Sequence, residues 1–65
     1  RNRKTAFSWY LKAAQQGDME AQTLVGQCLL NGEGTDPDKS QAIEWLNMAV
    51  DQGNEEAIEL LNSLL

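Results

Sequence analysis

Sixty-five residues carry five basic and ten acidic side chains, a net charge of −5, and 42% hydrophobic residues, enough apolar content for one small core of marginal size. That balance excludes a basic footprint for nucleic acid, and no apolar run approaches the roughly 20 residues that insertion across a bilayer requires. Cys28 is the only cysteine, so no internal disulfide can staple the chain.

The chain opens on Arg1-Asn2-Arg3-Lys4 without an initiating Met, so it reads as a piece of something longer, and its basic start as a trimmed helix end rather than a binding arm. Across residues 3–16 the apolar positions Ala6, Phe7, Trp9, Tyr10, Ala13 and Ala14 recur at three- and four-residue spacing, which predicts an amphipathic helix. Gly17 is placed to end it, since glycine accepts the left-handed conformation after a helix. Asp18 then offers an N-cap oxygen, with Glu20 favourable in the first turn of a second helix. That helix is expected to run to about Leu30 and to bury Ala21, Leu24, Val25, Cys28 and Leu29.

Asn31-Gly32-Glu33-Gly34-Thr35-Asp36-Pro37 reads as a connector rich in turn formers. Asp38 and Gln41 have the spacing of a capping box opening a third helix, 39–52. Gly53 and Asn54 repeat the stop and the cap, and a fourth helix is expected over 55–65. The fold class is therefore all-α, antiparallel helical hairpins stacked as an α-α superhelix, that is, a solenoid fragment.

Sliding the chain by 36 residues supports this independently. Residues 6–29 then align with 42–65, with identities that include Ala6/Ala42, Trp9/Trp45, Ala13/Ala49, Gln16/Gln52, Gly17/Gly53, Glu20/Glu56, Ala21/Ala57 and Leu24/Leu60. Two tryptophans in register mark an internal repeat.

The repeated residues resemble the Sel1-like repeat family, a relative of the tetratricopeptide repeat. Its pattern stands here as Ala6, Trp9-Tyr10, Ala13-Ala14, Gln16-Gly17, Ala21-Gln22, Val25-Gly26, Gly32-Glu33-Gly34 and Asp38. The 36-residue period separates it from the 34-residue tetratricopeptide repeat, the extra length lying in the 31–37 connector. Leu29 stands where the family usually has Tyr, Thr35 where it has Val, and Asn62 at the position that is Gly26 in the first copy. Since that glycine would let a neighbouring helix approach closely, Asn62 marks 55–65 as a terminal or near-terminal helix. The resemblance implies one repeat segment over 1–65, with copies at about 6–41 and an incomplete 42–65, taken from a longer array.

Catalytic chemistry finds little material. There is no His to serve as general base or metal ligand, and Cys28 lacks a basic partner and falls on the apolar stripe. Neighbouring acids such as Glu55, Glu56 and Glu59 lie along one helix rather than opposed across a cleft, so a solvated face is the better reading. Asp36-Pro37-Asp38 lacks the other ligands of a calcium loop, and Gly32-Glu33-Gly34 follows a helix with no Lys-Ser/Thr after it, unlike a phosphate cradle. Trp9 and Trp45 read as packing residues between successive hairpins. No catalytic residue, cofactor site or metal site is expected.

What remains is surface. Residues 40–65 hold Glu44, Asp51, Glu55, Glu56 and Glu59 and no base, whereas four of the five bases fall within 1–12. In tetratricopeptide relatives the partner-facing residues lie between the buried positions of the helix lining the concave face. Matched on Val25-Gly26 and Leu29, the resemblance places them at Glu20, Thr23, Gln27, Leu30 and Asn31, and in the second copy at Glu56, Glu59 and Ser63. It implies a non-enzymatic adaptor or scaffold that binds a protein or peptide partner, its polar to acidic face suited to Lys- or Arg-bearing segments. The alternative is a structural segment that stacks on further repeats or self-associates with another copy through the apolar side of helix 3–16.

Overall fold

The computed structural model describes residues 2–65. Each helix starts where a side-chain oxygen satisfies the first free amides. Asn2 caps α1 (Arg3–Gln15), accepting from the amides of Lys4 and Thr5 at 3.0 and 3.3 Å. Asp18 caps α2 (Met19–Asn31) through the amides of Glu20 and Ala21. Asp38 caps α3 (Lys39–Asp51) through that of Gln41, and Asn54 caps α4 (Glu55–Ser63) through that of Ala57 at 2.8 Å. All four helices lie within two residues of the expected spans, and the described residues contain no strand.

The two short hairpin turns are built alike. The amide of Gly17 donates to Ala14 and that of Asp18 to Ala13, and Gly53 and Asn54 repeat this onto Val50 and Ala49. This is the Schellman arrangement, with Gly17 and Gly53 at φ +101° and +91°. The connector differs from expectation in two details. Asn31 belongs to α2, because Gly32 takes the left-handed cap at φ +72° and donates to the Cys28 carbonyl. The capping box is only half formed: the amide of Asp38 donates 2.8 Å to the carbonyl of Leu29, tying the start of α3 to the end of α2.

Two apolar clusters run through the stack. The first gathers Ala14, Ala21, Val25, Leu29 and Ala42, with Phe7, Tyr10, Leu11 and Trp45 packed on it; the second gathers Leu46, Ala49 and Ala57, with Met19, Val50, Leu60 and Leu61. Leu30 joins both. Helix α2 lies between α1 and α3 and therefore buries a wider arc than one stripe. Gln22 and Thr23 are buried on it, whereas Leu24, expected inside, is 37% exposed.

Gly26 lets α3 approach α2 closely. A Cβ there would lie 2.6 Å from Cδ2 and 2.7 Å from Cγ of Leu46, itself fully buried. The expectation that glycine at this position admits a neighbouring helix is met by α3. The tryptophans, by contrast, part company. Trp45 packs on the first cluster, but Trp9 is 64% exposed, because no helix of the described chain covers the outer side of α1; the ammonium of Lys12 sits 5.6 Å over its ring.

Candidate partner-binding surface

The expected partner-facing residues divide by what the fold does with each. Glu20, Asn31, Glu56, Glu59 and Ser63 are exposed, while Gln27 and Leu30 are half-buried. Gln27 links the two copies, its Nε2 donating 3.3 Å to a carboxylate oxygen of Glu56. The antiparallel turns place the start of α4 beside the middle of α2, so this bond joins equivalent helices of successive repeats.

Thr23 is a correction. It is 2% exposed, and its hydroxyl lies 3.0 Å from the Met19 carbonyl and 3.1 Å from Oδ1 of Asn54. Its side chain is spent on joining α2 to the cap of α4 and presents nothing to a partner. Leu30 is partly withdrawn as well, because it packs on both apolar clusters. What stays open on α2 and α4 is polar to acidic: Glu20, Asn31, Glu56, Glu59 and Ser63 are exposed, and half-buried Gln27 bridges to Glu56. The Ser63 hydroxyl donates 2.7 Å to the Leu60 carbonyl.

A second polar link also joins the two copies. Gln22 donates to the Ala14 carbonyl at 3.2 Å and accepts from Gln52 at 3.0 Å, so one buried amide joins three helical segments. Every buried side-chain nitrogen and oxygen among the described residues has a hydrogen-bond partner. Buried polar groups arranged this way hold register rather than perform chemistry.

Cys28 lies buried, and burial pushes its thiol above the ordinary range, with the nearby negative charge of Glu33 adding to the effect. That is the reverse of what activates a thiolate nucleophile. Among the described residues no three His, Cys, Asp or Glu side chains gather closely enough to hold a metal ion, and no helix is long and apolar enough to cross a membrane. A broad surface depression lined by Asn2, Arg3, Lys4, Gly34, Thr35 and Asp36 opens between the start of α1 and the connector.

The family model for the Sel1 repeat matches residues 1–18 and 20–54. A chitin synthase regulator, SKT5, from Malassezia restricta is 37% identical over 59 residues, which make up 91% of this chain and 4% of that protein. The crystal structure of a Sel1 repeat protein from Oxalobacter formigenes superposes with a TM-score of 0.93 at 37% identity, covering 95% of this chain and 18% of that one. The chain thus spans only a small part of either relative's length.

Proposed function

The chain belongs to the Sel1 repeat family, whose repeats generally mediate protein–protein interactions, and from that premise we propose that it is a non-catalytic adaptor segment of a longer array. Its partner is a protein or peptide segment bearing Lys or Arg, held along the α2–α4 band. The observation that carries this reading is the Gln27–Glu56 bond, which brings the polar sides of α2 and α4 together, with Glu20 and Glu59 exposed on the same two helices. A surface fixed by packed helices loses little entropy on binding, and carboxylates set beside amides suit both a cationic side chain and a peptide backbone. That one relative is named a regulator of an enzyme supports action through a partner.

A second reading has its own observation. Trp9, 64% exposed on α1, marks an apolar outer side suited to stacking on a further helix pair.

The test is fluorescence anisotropy with short peptides rich in Lys, Arg and Asn, beside acidic peptides of equal length. The chain is compared with a Gln27→Lys/Glu56→Lys/Glu59→Lys variant of equal helicity. Binding of the basic peptides that weakens with salt and disappears in the variant supports the adaptor reading. Binding unchanged in the variant moves recognition off this band, and preference for the acidic peptides overturns the proposed partner chemistry.

A further inference from the structure

The internal repeat supplies its own rule for what may stack on what. Three contacts seat the second helix pair on α2: Gly26 against Leu46, Gln22 bonded to Gln52 at 3.0 Å, and Thr23 at 3.1 Å from the cap residue Asn54. Shifted by 36, the same positions on α4 are Asn62, Ile58 and Glu59, all facing outward and exposed. A second copy seated on α4 in this manner would bring its Tyr10, Gln16 and Asp18 to the places of Leu46, Gln52 and Asn54.

All three pairs fail. At the Gly26 position even a Cβ lies 2.6 Å from the leucine opposite, and here the four side-chain heavy atoms of Asn62 would meet a tyrosine. Ile58 gives the Gln16 amide no acceptor, so the bond that Gln52 makes to Gln22 has no counterpart there. Glu59 would face the carboxylate of Asp18, like charge against like at a contact where the inner repeats place a hydroxyl and an amide oxygen. Only the fourth link survives, Ser63 opposite Glu20 in place of Gln27 opposite Glu56.

We propose that the outer face of α4 refuses a second copy of this chain and takes instead a helix pair of complementary chemistry. That pair carries a small side chain at the place of Leu46, an aliphatic one at the place of Gln52, and Lys or Arg at the place of Asn54. The proposal rests on the repeat-module reading above and narrows which neighbour this end accepts. It replaces indiscriminate end-to-end polymerisation with a selective joint.

The test builds the complementary face onto α1 of the chain itself, as Tyr10→Ala/Gln16→Leu/Asp18→Lys, leaving Glu20, Gln27, Glu56 and Glu59 untouched so that peptide binding can be scored separately in this variant. Sedimentation velocity and acrylamide quenching of tryptophan are followed over a concentration series. The unmodified chain is expected to remain monomeric, and the variant to form head-to-tail assemblies in which Trp9 is shielded. Because the variant loses a cap and part of a core residue, a second one copies the inner contacts to the ends: Tyr10→Leu/Asp18→Asn/Ile58→Gln/Glu59→Thr/Asn62→Gly. It too should assemble. Head-to-tail assembly of the unmodified chain, with Trp9 shielded, overturns the proposal. So does a monomeric state in whichever variant retains full helicity by circular dichroism.

Discussion

Gly34→Ala separates two costs that are usually confounded. Gly34 has φ +75°, and a Cβ there would run into the carbonyl oxygen of Arg3, lie 2.7 Å from that carbonyl's carbon and touch Cβ of Phe7 at 3.0 Å. The obstacle is backbone in the first turn of α1, which cannot yield without dragging the helix from the connector. The left-handed conformation costs a non-glycine residue roughly 1–2 kcal/mol and forced overpacking about 1–3 more, so the expected loss is about 2–5 kcal/mol. A domain of this length has on the order of 3–10 kcal/mol in all. Gly17→Ala is the control: its φ is +101° but nothing lies within 4 Å of the added methyl, so only the conformational term applies. Both substitutions restrict the unfolded chain equally, and that contribution cancels. Urea unfolding followed by far-ultraviolet circular dichroism reads the difference directly. Gly34→Ala should fall at least ~1 kcal/mol below Gly17→Ala; equal losses would refute the claim that the connector is pressed against α1.

Trp45→Ala should cost about 3 kcal/mol or somewhat less, given its partial burial, while Trp9→Ala should cost less than about 1 kcal/mol, since mainly its contact with Lys12 is lost; thermal unfolding of the two variants checks this. Thr23→Lys should leave the chain largely unfolded at room temperature, whereas Glu59→Lys should keep full helicity, because only the former drives a charge into a buried bonded site; circular dichroism distinguishes them. The Cys28 thiol holds its proton more tightly when folded, so the unfolded chain releases it first as pH rises. Stability should therefore be intact below the unfolded thiol's pKa and decline as pH climbs through the folded one, a decline absent in Cys28→Ala when urea midpoints are compared.

Helix positions were legible because their determinants are local. Asp18, Asp38 and Asn54 announce starts, and Gly17 and Gly53 announce stops, within a few residues of the bonds they make. The interior was less legible where a residue's fate depends on partners far along the chain. Thr23 and Gln22 look like surface residues until Asn54 and Gln52, 31 and 30 positions away, supply their bonds. Leu24 fits an apolar stripe but faces outward, since α2 is flanked on two sides and its buried arc is turned accordingly. Trp9 and Trp45 occupy the same register in helices of equal length, yet only Trp45 has a preceding helix pair in the described chain to cover it. The candidate residues Glu20, Gln27, Glu56 and Glu59 were reached through resemblance rather than periodicity, and the Gln27–Glu56 bond carries no short-range signature.

Asp18 and Asn54 each hold two helices at once, the amide closing the one before and the side chain opening the one after. There is no spare residue at either junction to absorb a change in angle, so each hairpin moves as a unit, like two boards sharing a single nail. Fraying that begins in the last turn of α1 removes the cap of α2 in the same event, and the disturbance passes through the turn instead of stopping there. Amides on the two sides of Gly17 should consequently exchange with solvent at matched rates, and a partner that clamps α2 should slow exchange at the end of α1 without touching it.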